Sequence, residues 1–277
     1  MAPGCRRRAS RRRSRSAATR PPYNRPVTIA ILVLLAYAAI SAFSGGPSQG
    51  VPPPHGTFQA GFEQGFQGFN LAGVGEVDPT VVETPRGSGE HAARFRLEGS
   101  EGRSELIVGG TGDQSNSETI EFGDGDEGWL GFSFDILHMT YGSPRFWNLI
   151  MQFKGEGEGS PNFAIQIGRE GSDRGIWTSG SAMGSSRFLA QVSERQWHRV
   201  ELHFRASNHG SGFYRLFLDG RLIDQRQRVS LIPSNRRNAY IKLGLYRDGA
   251  DLNGTSTTLV DSVSIGRTRA SVSASGR

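Results

Sequence analysis

The chain has 277 residues, 36% hydrophobic and 21% charged, with 38 glycines and one cysteine. That composition excludes a disulfide-stapled miniprotein and a repetitive or disordered polymer, and it allows a sizeable core. The formal charge of +6 is uneven: residues 1–25 hold nine arginines and no acid, while from residue 26 onward 23 basic residues face 26 acidic ones, a balance of −3. The basic character therefore belongs to the tail, and no nucleic-acid-binding surface is expected of the rest.

Residues 1–25 read as a basic cytoplasmic tail, and residues 26–44 as a transmembrane anchor or signal segment. The run 27–43 is uncharged and mostly aliphatic. At a rise of 1.5 Å its length just crosses a hydrocarbon core. The basic flank would stay inside, which places the remainder outside the membrane. Ala42-Phe43-Ser44 suits a cleavage site, so anchor and signal peptide both remain open. A nucleic-acid-binding arm would explain the arginines but not the apolar run behind them. Residues 45–56, rich in Gly, Pro and Ser, form a linker. Cys5 precedes the apolar run, so the exported part has no disulfide and depends on burial. At roughly 210 residues it can bury about 70% of its unfolded surface.

Residues 57–268 show no sustained helical period. Short strand-like runs recur at 92–97, 104–108, 129–137, 147–153, 162–167, 197–204, 214–218, 240–246 and 258–265. Leu218-Asp219-Gly220-Arg221 is a two-residue hairpin turn. The pattern predicts an all-β fold, one antiparallel β-sandwich of the concanavalin-like jelly-roll type, most simply a monomer. A groove on the outward face of one sheet suits a long polymer. Residues 269–277 read as a frayed tail.

The most informative strand is 240–246. Ile241, Leu243 and Leu245 fall on one side, and Tyr240, Lys242, Gly244 and Tyr246 on the other, a period of two. Thirty of the 32 basic residues are arginines; Lys154 and Lys242 are the two lysines. In 103–106, Arg103 and Glu105 point the same way. In 147–154, Trp147, Leu149, Met151 and Phe153 make the apolar side, leaving Asn148, Ile150, Gln152 and Lys154 opposite. Were these strands neighbours, Arg103, Glu105, Gln152, Lys154, Lys242 and Tyr246 would form one patch. Separately, each pair would simply face solvent.

These segments, Arg103-Ser104-Glu105-Leu106, Gln152-Phe153-Lys154 and Tyr240-Ile241-Lys242-Leu243-Gly244-Leu245-Tyr246-Arg247, resemble those of exported polysaccharide lyases with a jelly-roll fold. The likeness is to the heparin-lyase-like group and also to alginate lyases, and the Tyr246-Arg247 ending leans to the former. The resemblance implies an anionic, uronic-acid-containing polysaccharide substrate, cleaved by β-elimination without a cofactor. Tyr246 would be the proton-transfer residue, with Arg103, Gln152 and Lys154 completing the catalytic set. Lys242, Glu105, Asn148, Tyr240, Arg247 and Trp177 would bind substrate. Gly244 would leave room for the sugar. Where the family has Gln-x-His, this chain has Lys154, which either takes over the histidine's contact with the carboxylate, acts as a desolvated base, or marks lost activity.

Other residues have plainer readings. His138, His198 and His203 are expected at strand surfaces or in packing, with His138 placed to replace the motif histidine from a neighbouring strand. The acids of 118–127 resemble a calcium loop in composition but lack its spacing, so a solvated turn is expected and a structural Ca²⁺ is the alternative. Trp129, Trp147 and Trp197 read as core, whereas Trp177, among Gly and Ser, suits stacking on a sugar. A non-catalytic carbohydrate-binding jelly roll at the cell surface is the alternative function. A glycoside hydrolase ranks last, because no strand offers two framed carboxylates.

Overall fold

The structure, a computed structural model, describes residues 58–71, 75–84, 89–109, 119–141, 147–155, 157, 159–248 and 252–273. The expected basic tail, apolar segment and linker lie outside the described residues. All described residues belong to one compact unit, Gln49–Arg277.

Two antiparallel sheets make the sandwich. Sheet I contains β1 (Phe58–Ala60), β3 (Thr80–Glu83), β4 (His91–Leu97), β7 (Glu127–His138), β12 (Trp197–Arg205), β13 (Gly212–Leu218), β14 (Arg221–Val229) and β16 (Ser256–Gly266). Sheet II contains β2 (Phe69–Asn70), β5 (Arg103–Val108), β6 (Glu121–Gly123), β8 (Asn148–Gly155), β9 (Phe163–Glu170), β10 (Asp173–Ser179), β11 (Arg187–Gln191) and β15 (Asn238–Arg247). Sheet I runs β14-β13-β12-β7-β16-β4-β3, and sheet II runs β11-β10-β9-β8-β15-β5-β2. The chain crosses repeatedly from one sheet to the other, as a jelly roll requires.

Alternation explains the core. Phe132, Phe134 and Phe204 from sheet I meet Phe153, Phe163, Ile241, Leu243 and Leu245 from sheet II, all fully buried. Phe204 joins the layers through edge-to-face contacts with Phe153 at 5.1 Å and Phe122 at 4.9 Å. Each such side chain contributes about 1.5–3 kcal/mol by leaving water. The expected hairpin forms: Leu218 pairs Arg221, and Asp219 and Gly220 both have positive φ, as a type I′ turn demands.

The expected strands are present, but β1, β2, β3, β6, β10, β11 and β14 were not anticipated. β11 and β14 are sheet edges. An edge strand has one hydrogen-bonded neighbour and carries long polar side chains, so Arg221–Val229 (Arg-Leu-Ile-Asp-Gln-Arg-Gln-Arg-Val) lacks a clean alternation. The tail also differs from expectation. Residues 269–273 form a short helix, α1 (Arg269–Ser273), with Val272 fully buried and Arg269 bonded to Glu201 at 2.6 Å.

Candidate active site

Strand β15 lies between β8 and β5 at the middle of sheet II. Register places Tyr246 opposite Arg103 and Gly244 opposite Glu105 on β5. On the other flank, Lys242 pairs Gln152 and Tyr240 pairs Lys154 on β8. The three separate polar pairs are therefore one patch. It floors a cleft of about 900 Å³ on the outer face of sheet II, which Arg103, Gln152, Lys154, Tyr240, Lys242 and Tyr246 all line.

Glu105 is the hub of the patch and is only 2% exposed. One carboxylate oxygen accepts a hydrogen bond from the Gln152 amide. The other lies 3.4 Å from Arg103 Nε and 3.5 Å from Lys242 Nζ. Two cations and an amide thus converge on one buried anion, which leaves the cluster a net positive charge facing the cleft. Glu105 was expected to bind substrate, but it is buried beneath Arg103, Gln152 and Lys242, whose side chains it holds. Burial pushes the Lys242 ammonium below the ordinary lysine range, and the like charge of Arg103 adds to this against the pull of Glu105. The Arg103 guanidinium sits 4.1 Å from the centre of the Tyr246 ring, and Trp147 meets that ring edge-on at 6.0 Å.

Two irregularities shape this face. Between Leu243 and Tyr246, β15 carries one more residue than β8, and between Leu149 and Met151, β8 carries one more than β9. Gly244 has φ of 135°, and a Cβ there would meet the Ser104 carbonyl oxygen at 2.4 Å and the Phe95 ring at 2.7 Å. Its missing side chain would collide with β5 and the core, so Gly244 serves the bulge and not, as expected, the sugar. On β8, Ile150 and Met151 both enter the core. The phase inverts before them, so Trp147 and Leu149, read as core, line the cleft. Asn148, expected in the groove, is buried and donates to the Thr140 carbonyl at 3.0 Å.

Three further expected site residues sit differently. Arg247, expected to bind substrate, is 1% exposed. Its guanidinium donates to the carbonyls of Glu101, Gly99 and Gly254 at 2.9, 2.7 and 2.9 Å, and to Ser256 Oγ, so it ties loops together. Trp177 is 4% exposed, packed over Gly168 and edge-on to Phe188, which leaves no ring face for a sugar. Lys154 lines the cleft, but its ammonium donates to the Gly157 carbonyl at 2.6 Å and the Gly155 carbonyl at 3.2 Å. It braces the turn after β8.

His138, His198 and His203 lie on sheet I. His198 bonds Asp219 at 2.8 Å, and His203 bonds Glu127 at 2.9 Å while stacking on Trp129. His138 ends β7, in sheet I, and so is not placed to replace the motif histidine. Among the described residues no three His, Cys, Asp or Glu side chains gather to hold a metal ion. The acids of the turn have their own partners, Asp126 on the Gly123 amide and Asp124 on that of Asn208.

Sequence reasoning missed Trp147, Leu149, Gln166 and the serine wall of Ser160, Ser179, Ser181 and Ser186, all of which line the cleft. Only the aromatic at Trp147 carried a signal, and strand phase masked it.

Comparison with known proteins bears on this cleft. A family model described as polysaccharide lyase matches residues 58–264. No curated protein matches the sequence. The endo-β-1,4-glucuronan lyase of the fungus Trichoderma reesei superposes with a TM-score of 0.54 at 22% identity, covering 74% of this chain and 96% of that one. The alginate lyase AlyA1 of Zobellia galactanivorans gives a TM-score of 0.47 at 12% identity, over 64% and 78% of the two chains.

Proposed function

Because the chain belongs to the polysaccharide lyase family, we propose that it is an exported enzyme cutting a uronic-acid-containing polysaccharide by β-elimination at the Glu105-centred cleft. The observation that carries this reading is the convergence of Arg103, Gln152 and Lys242 on one buried carboxylate beside Tyr246. The glucuronan and alginate lyases with a similar sandwich act on polymers of this class.

Elimination needs three things from the protein. The C5 proton of a uronate must be taken, the charge that then spreads into its carboxylate must be stabilised, and the C4 oxygen must leave with a proton. The electron pair of the C5–H bond becomes the C4–C5 double bond as the C4–O bond breaks. A cluster with net positive charge, held rigid by Glu105, suits the second need, because its donors do not reorganise as charge develops. Lys242 has three N–H donors and gives one to Glu105, leaving two for the substrate. Tyr246 stands on the same face and is assigned the proton transfer, taking the proton from C5 and returning it to the leaving oxygen. Lys154 is assigned to the rim, where it supports the turn that borders the cleft. The basic flank and apolar run before the sandwich support export.

The test is spectroscopic. Each cut creates a double bond conjugated to a carboxylate, which absorbs in the near ultraviolet, whereas hydrolysis and simple binding leave no such signal. Full-length chain incubated with a panel of uronate polymers is expected to produce this absorbance with at least one. Silence across the panel removes the reading. For export, the sandwich is expected in the membrane or extracellular fraction of its native cell, and recovery of the full chain in the cytosol contradicts it.

A further inference from the structure

Along β15 the cleft changes character at Tyr246. On one side lie the Lys242–Gln152 and Tyr240–Lys154 pairs, with the Arg236 guanidinium against Gly157. That end is cationic. On the other side the described lining continues through Leu149 to Trp147. Trp147 is 37% exposed, and Leu222, on sheet I, is the only other large hydrophobic left open among the described residues.

The backbone fixes this position. The Asp248 amide donates to the Trp147 carbonyl at 3.1 Å, which extends the β8–β15 ladder one step beyond the Asn148–Arg247 pair. Tyr246 is the one ring that Trp147 meets among the described residues, at 6.0 Å and an interplanar angle of 65°. At that angle the contact takes at most one face of the indole. Two residues of extended chain span about 7 Å, so Trp147 stands about 7 Å beyond the Leu149–Tyr246 pair, on the scale of one sugar ring. A uronate whose carboxylate meets Arg103, Gln152 and Lys242 brings C5 and the C4 oxygen to Tyr246. The polymer leaving that oxygen runs on past Tyr246, away from Lys242, and its next sugar arrives at Trp147. One face of a pyranose is made of C–H groups, and an indole matches it with a flat surface at small cost in side-chain entropy. Covering the indole also withdraws apolar area from water.

We propose that Trp147 is the stacking platform for the sugar on the leaving side of the scissile bond, the one whose anomeric oxygen Tyr246 protonates as the C4–O bond breaks. This rests on the lyase reading above and adds to it a substrate-binding residue outside the polar patch.

The experiment uses the full-length chain and the polymer that gives most absorbance in the panel above. Trp147→Ala is expected to raise KM about tenfold with kcat within about threefold, the pattern of lost binding shared by ground and transition states. Trp147→Tyr is expected to recover most of that loss, and thermal unfolding should be unchanged in both. A fall in kcat at unchanged KM would make Trp147 a brace for the Tyr246 ring and overturn the inference. Kinetics of Trp147→Ala within about twofold of the unmodified chain would overturn it as well, and both outcomes leave the lyase reading standing. Tryptophan fluorescence reads the same contact without turnover, because Trp129, Trp177 and Trp197 are not among the described lining residues. Oligosaccharides of polyglucuronate or alginate are expected to perturb the emission of the unmodified chain and not that of Trp147→Tyr. If no polymer yields absorbance, or if Trp147→Ala unfolds early, this comparison decides. A perturbation lost in Trp147→Tyr keeps the platform even where the lyase reading falls. Emission that does not respond, or that responds equally in Trp147→Tyr, overturns it.

Discussion

Both outer faces of the sandwich bury cations between strands, and they use them in opposite ways. On sheet I the Arg199 guanidinium lies under α1, donating to the carbonyls of Ser262 and Val272 and to the hydroxyls of Ser133 and Ser264. Beside it Glu201 accepts from Arg269 and Ser273. Burial pulls Arg199 down to about 10. These contacts close on the chain itself and fasten its C-terminal end to the sheet. On sheet II, Arg103, Lys242 and Gln152 meet on Glu105, but their free sides open to a cleft. Buried charge on the first face closes on the chain itself, while on the second its free sides line the cleft.

Substitutions can break this comparison. The largest effect is expected at Tyr246, where Tyr246→Phe should lower turnover by about 10²–10⁴ with unchanged thermal unfolding. Near-normal turnover would remove Tyr246 from the mechanism. Next, Lys242→Ala should cut kcat/KM on a uronate polymer by about 10²–10³, the scale of one preorganised electrostatic contact. A variant that unfolds early instead would place Lys242 with the structural charges of sheet I.

Arg199→Leu should do the reverse, costing about 2 kcal/mol in urea denaturation through unsatisfied carbonyls while kcat stays within about twofold. A loss of activity at intact stability would dissolve the distinction between the faces.

The pH profile sharpens it further. Because its pKa is lowered, Lys242 sheds its proton below the usual lysine value of about 10.4. The alkaline limb of kcat/KM should therefore begin below that value, and Lys242→Arg should move it upward. The same shift makes stability rise with pH between the lowered and the ordinary value, since the unfolded chain binds the proton more tightly there. Activity and stability should thus diverge in this window, and parallel decline would contradict the assignment.

The smallest effect is expected at Lys154. With its ammonium on the Gly155 and Gly157 carbonyls, Lys154→Ala should lower turnover by less than about tenfold. A drop of 10² or more would return Lys154 to the role that the family's Gln-x-His pattern suggests.

Much of this site was readable before the fold, for a physical reason. In β5 the alternation of apolar and polar residues survives intact, and in β15 the bulge at Gly244 still leaves Tyr240, Lys242 and Tyr246 lining one cleft, so these residues, and Arg103 with Glu105, could be assigned to one face from spacing alone. In β8 the extra residue at Ile150 inverts the phase, so Trp147 and Leu149 looked like core and Asn148 looked like groove. Nothing in a one-dimensional pattern marks that inversion, because the bulge exists only relative to β9. Trp177 misled in a related way. Its Gly- and Ser-rich surroundings suggested a ring open to a sugar, whereas the missing side chain of Gly168 on β9 leaves the space that the buried indole fills.

The sequence by itself determined the all-β class, the apolar faces that make the sandwich, and the residue types able to meet a uronate. Those are properties of local period and side-chain chemistry, and each segment carries them alone. Tertiary structure decided which strands are neighbours, and so that three distant polar pairs share the carboxylate of Glu105. It also decided the depth of each group. Arg247 and Arg103 are the same side chain on adjacent strands, β15 and β5. One guanidinium closes loops at 1% exposure while the other remains a third exposed beside the cleft. Burial depends on what the rest of the chain packs above a residue, which its own neighbours in sequence do not specify.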